Sequence, residues 1–161
     1  MKQNIKYILL SLLVLLMVSC QKSQEYYEGL YVVGADQLSP VANLTIDDLP
    51  AVIGIKVASS CAIGDHVEVG MKATPELVES FNKEYKKNYE LLPEKSYKLE
   101  NTTLTIENGK NTSTDGVRLS VISRDLLKEG KTYLLPISIV SVSDKNLSVI
   151  EGSRTIYIVI N

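Results

Sequence analysis

Beyond residue 50 the apolar positions recur mainly with a period of two. Val67, Val69 and Met71 alternate with His66, Glu68, Gly70 and Lys72. Leu104 and Ile106 alternate with Thr105 and Glu107 as far as Asn108-Gly109, a turn signal, and Val117, Leu119 and Val121 alternate with Arg118 and Ser120. Successive side chains of a strand point to opposite faces, so these segments read as half-buried strands with one solvated face. Val52 to Ala58 is a short apolar run with Lys56 inside it, Leu134 to Val142 is a longer one and Arg154 to Ile160 closes the chain on another; all three read as further strands. Short strands separated by Gly, Asn, Asp and Ser turns predict a mainly β sandwich rather than alternating β and α units.

One segment departs from that period. Thr74-Pro75-Glu76 has the form of a helix start: a capping hydroxyl, proline at the first helical position and an acid in the first turn. Leu77, Phe81, Tyr85 and Tyr89 follow at intervals of four, while Glu79, Lys83, Glu84, Lys86 and Lys87 fall towards solvent. The pattern predicts one amphipathic helix over about 75–89, laid across the end or face of the sandwich, and Pro93 forbids its continuation. Tyr85, Tyr89 and Tyr97 are expected to form the seam between helix and sheet, with Tyr133 a corner residue at a strand start.

The N-terminus has a different character. Lys2 and Lys6 precede an apolar run from Ile8 to Val18, broken only by Ser11, which ends at Ser19-Cys20. Such a run is short for a membrane span and has the form of a secretory leader. Leu16-Met17-Val18-Ser19-Cys20 resembles a bacterial lipobox. That resemblance implies cleavage before Cys20 and a diacylglycerol thioether on its sulfur, with an acyl chain on the new amine. Each buried methylene contributes about 0.8 kcal/mol, so two or three chains hold where one would not. The expected organisation is a signal peptide over 1–19, lipidated Cys20 with a tether over 20–28, and a single sandwich domain over 29–161. Gln21-Lys22-Ser23-Gln24-Glu25 resembles the export tag of surface lipoproteins in Bacteroidota, which favours the cell surface over the periplasmic face.

Composition narrows the chemistry. A net charge of −2 and a pI near 5.5 leave no basic excess for nucleic acid. With Cys20 acylated, Cys61 has no disulfide partner, and it reads as a small buried hydrophobe. The single histidine, His66, reads as solvent-facing, and one histidine with two cysteines supports no Cys/His metal cluster. Asp47-Asp48 reads as a turn, because a calcium site needs several more oxygen ligands. Nucleophile-elbow, phosphate-loop and calcium-hand motifs are absent. The expectation is no cofactor, no metal and no catalytic residue.

Three stretches carry a family resemblance: Phe81-Asn82-Lys83-Glu84-Tyr85 with Tyr89-Glu90-Leu91-Leu92-Pro93 and Ser96-Tyr97-Lys98-Leu99; Leu104-Thr105-Ile106-Glu107-Asn108-Gly109; and Lys131-Thr132-Tyr133-Leu134-Leu135-Pro136-Ile137. Together they resemble the Bacteroidota lipoprotein module of domain-of-unknown-function family 1735. The resemblance implies an immunoglobulin-like antiparallel β-sandwich. It also implies a position ahead of carbohydrate-active or carbohydrate-binding domains in surface lipoproteins of glycan utilisation. No site residue can be carried over from that module.

A sugar site would ordinarily present aromatic platforms, and the chain has no Trp and one Phe. Tyr26, Tyr27 and Tyr31 cluster after the tether and are the candidate ligand-binding residues, although they also suit the bracing of a first strand. The expected function is a non-catalytic binding or accessory module linked to glycan capture. Its partners are outer-membrane lipid through acylated Cys20 and polysaccharide or glycan-uptake proteins. The alternative is a structural or adhesin-like subunit, with Arg154–Asn161 as an exposed edge accepting another chain.

Overall fold

The computed structural model describes residues 29–36 and 38–161; Cys20, Tyr26, Tyr27 and the segments expected to be leader (1–19) and tether (20–28) lie outside the described residues. In chain order the strands are β1 (Gly29–Val32), β2 (Val41–Leu44), β3 (Ala51–Ile55), β4 (Val57–Ser59) and β5 (Val67–Ala73). Helix α1 (Leu77–Tyr85) follows. The remaining strands are β6 (Glu90–Leu91), β7 (Tyr97–Glu100), β8 (Thr103–Ile106), β9 (Val117–Val121), β10 (Tyr133–Val142), β11 (Ser148–Val149) and β12 (Thr155–Ile160).

They assemble into a large sheet of order β2-β12-β10-β5-β8, with β6 beside one end of β10, and two smaller sheets, β11-β1-β4 and β3-β9-β7. The period-two residues behave as their pattern requires. Val67, Val69 and Met71 from β5, Leu104 and Ile106 from β8, and Val117, Leu119 and Val121 from β9 are all buried in one core. Leu30 and Val32 of β1, Leu135 and Ile137 of β10, and Ile156, Ile158 and Ile160 of β12 join the same core, so all three sheets share one interior. This is the expected mainly β sandwich with one helix. Ser120 departs from its polar reading, being 6% exposed on β9. Most pairs are antiparallel, but β1–β11, β6–β10 and β2–β12 are parallel. Gly109, at a φ of 73°, supplies the left-handed turn after β8.

The apolar run Val52 to Ala58 is two strands, not one. Its chain changes sheet at Lys56, whose carbonyl accepts from Val33 N–H at 2.9 Å and whose Nζ donates to Thr114 O at 3.2 Å. The exposed Lys56 is the one polar interruption of the run, and hydropathy by itself does not say that the two apolar halves join different sheets.

The helix is shorter than its pattern. It spans Leu77–Tyr85 rather than 75–89, and Lys86 ends it in the left-handed conformation at φ 52°. Thr74 does not cap it: its buried hydroxyl bonds Ser138 Oγ at 2.7 Å instead. Tyr89 lies beyond the helix and returns to its face because Asn82 binds its backbone. Helix α1 sits on the outer face of the large sheet, where Val78 and Phe81 pack with Leu134 and Val159, and Val41, Tyr85, Tyr89 and Tyr157 surround them. Tyr97 belongs to the main core rather than this seam, and Tyr157 takes the fourth aromatic place.

Arg154–Asn161 is not an open edge. Strand β12 pairs β10 on one side and β2 on the other, which removes the acceptor strand proposed for the adhesin-like alternative.

Candidate functional site

Tyr31 lies on β1 opposite Ala58, half-buried, between the fully buried Leu30 and Val32. Alternation therefore turns its side chain away from the core. Its expected companions Tyr26 and Tyr27, and Cys20, the expected lipidation residue, are outside the described residues. Cys61 is a free, half-buried thiol in the bend after β4, not the fully buried hydrophobe expected. His66 is exposed, and its Nδ1 lies 3.2 Å from Asp65 Oδ1. The His66 backbone N–H donates to the same carboxylate and is the main reason the Asp65 carboxyl sits below its ordinary range. Asp47 and Asp48 are exposed in a bend, where the Arg124 guanidinium donates to the carbonyls of Ile46 and Asp47. Among the described residues no group of three or more His, Cys, Asp or Glu is placed to hold a metal.

The structure assembles a different set of residues. Where the C-terminal turn of α1 passes β12, a groove of about 220 Å³ is lined by Pro40, Glu84, Tyr85, Thr155 and Tyr157, with Glu151 and Gly152 opposite. Each element places its residue for a local reason. On β12, Ile156, Ile158 and Ile160 face the core, so Thr155 and Tyr157 face outward. Tyr157 is held there by Phe81, whose ring centroid is 4.5 Å from its own, and by its backbone N–H donating to Pro40 O at 2.8 Å. Tyr85, four residues along the helix, stacks on Phe81 as well, also at 4.5 Å. Glu151 is held by Arg154, whose Nη1 donates to both carboxylate oxygens at 2.9 and 3.2 Å.

The electrostatics follow from this arrangement. Burial raises the Tyr157 hydroxyl above its ordinary pKa, and the Glu84 carboxylate and Tyr85 add to the effect. Thr155 Oγ1 and Ser138 Oγ are 2.7 Å apart, and Ser138 Oγ is 2.7 Å from Thr74 Oγ1. Three hydroxyls thus form a chain across the large sheet, from buried Thr74 to half-buried Thr155 at the groove. Periodicity alone assigned Tyr85 to the seam and left Tyr157 and Thr155 unassigned, because their meeting depends on the helix folding back over β12. The outward-facing aromatic in an otherwise apolar final strand was the one local sign.

Two further clefts lack this combination of groups. One of about 330 Å³ lies beside Tyr133 and Asn161 and is lined by Ile46, Arg124 and Leu127. Another, of about 530 Å³, is floored by Gly54 and Gly116 between Val33, Val52, Lys56 and Arg118.

Several solved structures share this fold. A proposed carbohydrate-binding protein of Bacteroides ovatus matches with a TM-score of 0.68 at 24% identity, over 83% of this chain and 36% of its own. A two-domain protein of unknown function from Bacteroides fragilis matches at 0.64 and 15% identity, over 86% of this chain and 46% of its own. EndoBT-3987 of Bacteroides thetaiotamicron, solved with a Man5GlcNAc product, matches at 0.64 and 15% identity, over 82% of this chain and 30% of its own. The chain therefore spans between 30 and 46% of the length of these three proteins. None of the curated proteins matches the sequence. A family model described as an N-terminal domain matches residues 26–146, three quarters of the sequence, and the chain belongs to that family.

Proposed function

We propose that this chain is a lipid-anchored, cell-surface accessory module that captures glycan without turning it over. The observation that carries the reading is the shared fold, over 83% of the chain, with the proposed carbohydrate-binding protein of Bacteroides ovatus. EndoBT-3987, whose structure holds a Man5GlcNAc product, adds a second glycan-related protein of the same fold. Fold likeness is an analogy and does not assign a ligand. The lipobox ending at Cys20 supplies the location, with acyl chains in the outer membrane and the polar segment 21–28 as tether. Tyr26, Tyr27 and Tyr31 are the sugar-contacting residues this reading inherits from the sequence.

Three measurements test it. Radiolabelled palmitate should be incorporated by the natural protein and not by Cys20→Ala, and protease added to whole cells should digest the natural form. Affinity electrophoresis through gels containing mannan, starch or xylan should retard the protein without releasing reducing ends. Unlabelled protein would remove the anchor, absence of retardation in every gel would remove glycan capture, and release of reducing ends would make the module an enzyme.

A further inference from the structure

We propose that the groove between the end of α1 and β12 is a subsite for one neutral sugar ring, formed by Tyr85, Tyr157, Glu84, Glu151 and Thr155. The proposal rests on the glycan-capture reading above and adds to the N-terminal tyrosines a second contact built by other residues. Three features of the groove converge on a polyhydroxylated ring.

The first is its walls. Small-ligand sites combine aromatic surface with a few placed polar groups, and Tyr85 and Tyr157 are half-buried rings locked by Phe81 at 4.5 Å each. Rings already immobilised by packing lose little further freedom when a sugar lies against them. At about 220 Å³ the groove is below the roughly 300–1,000 Å³ of sites for drug-sized molecules, and it suits a single ring.

The second is its acceptors. Glu151 is oriented by its two contacts with Arg154 and keeps free lone pairs, since a carboxylate offers about four acceptor positions. Among the described residues Glu84 makes no salt bridge or hydrogen bond. Hydroxyl-to-carboxylate hydrogen bonds are about twice as strong as neutral ones. Glu151 carries its own cation in Arg154, so the unpaired Glu84 carboxylate is the charge that repels uronic or sialic acids and favours a neutral ring.

The third is the hydroxyl chain. Thr74, Ser138 and Thr155 pass hydrogen bonds in series at 2.7 Å, and in each pair either oxygen can donate. Reversing the chain converts its Thr155 end from donor to acceptor by turning only the hydroxyl hydrogens, with no heavy atom displaced. A sugar hydroxyl both donates and accepts, so such an end fits it in either sense, and the series strengthens each member.

The test uses the full-length lipoprotein in detergent micelles, titrated with mannopentaose, cellopentaose and maltopentaose, with oligogalacturonate as the acidic comparison. Binding is read by calorimetry and by tyrosine fluorescence, which no tryptophan obscures. At least one neutral oligosaccharide should bind and change the fluorescence, and oligogalacturonate should not bind. Glu84→Gln with Thr155→Val should weaken binding by about tenfold or more while the melting temperature stays close to the parent. Arg118→Gln, in the separate cleft floored by Gly54 and Gly116, should leave affinity unaltered. Unchanged affinity in the Glu84/Thr155 variant, or an equal loss of affinity in the Arg118 variant, would overturn the groove while leaving glycan capture standing. If the parent binds no oligosaccharide, both the groove and the capture reading fall.

Discussion

Asn82 and Tyr89 exchange two hydrogen bonds: Asn82 Nδ2 donates to Tyr89 O at 2.9 Å, and Asn82 Oδ1 accepts from Tyr89 N–H at 3.0 Å. The side-chain amide thus acts as a strand partner for the chain that has just left the helix. It brings Tyr89 back to a centroid distance of 6.2 Å from Phe81. Asn82→Ala removes both bonds and should cost about 1–3 kcal/mol, while Asn82→Asp keeps the acceptor and should cost less. Urea denaturation measures the cost, and faster hydrogen exchange at the Tyr89 amide identifies its origin.

Tyr133 buries its ring at the start of β10 and accepts a hydrogen bond at its hydroxyl from Lys128 N–H at 2.7 Å. This is the tyrosine-corner arrangement of immunoglobulin-like sandwiches. Tyr133→Phe retains the ring and leaves Lys128 N–H without its acceptor. Stability should fall by about 1–2 kcal/mol with an unchanged denaturant slope. A changed slope would instead point to an altered native or denatured state.

Glu90 receives Lys131 Nζ at 2.9 Å and Lys128 Nζ at 3.5 Å. The Lys131 hydrogen bond chiefly holds its carboxyl below the ordinary value of 4.5, with Lys128 contributing. A carboxylate depressed in the folded state stabilises above its unfolded pKa, and that contribution disappears as pH falls through the folded value. Glu90→Gln should therefore be less stable than the parent at neutral pH, and the two should converge below about pH 4.5. Urea midpoints measured from neutral to acid pH check the convergence.

Tyr157 gives the opposite limb. Burial first, then Glu84 and Tyr85, raises its hydroxyl above the ordinary 10.0. Between the unfolded and the folded pKa the native state holds the extra proton, so stability is intact below about pH 10 and declines above it. Tyr157→Phe should flatten this alkaline decline. Tyr97, raised by burial and by Glu94, should account for part of what remains. Melting temperatures of parent and variant at successive alkaline pH values provide the comparison.

Much of the strand pattern was legible because it is local. Val67, Val69 and Met71 are inward wherever β5 lies in the sandwich, since alternation is a property of the extended backbone itself. The Asn108-Gly109 turn and the corner role of Tyr133 were likewise readable from neighbouring residues. The helix was half legible. Phe81 and Tyr85 keep the period of four, but Tyr89 matches it only through Asn82, and Thr74 has a cap's sequence yet bonds Ser138, 64 residues away. A side chain with two available partners is decided by which one the fold brings near.

The candidate groove was not legible for the same reason. Tyr85 and Tyr157 are 72 positions apart in the sequence, and no local pattern reports that the helix lies over the final strand. The order of strands was equally hidden: β12 reads as an edge from its place at the chain end, yet it lies between β10 and β2. The amino-acid sequence by itself determined which residues turn inward and where a helix begins to form. Only the tertiary structure decided which strands are neighbours, where Lys56 divides one apolar run between two sheets, and which tyrosines meet. Facing is set by backbone geometry over a few residues, whereas pairing is set by hydrogen bonds and ring contacts between residues tens of positions apart.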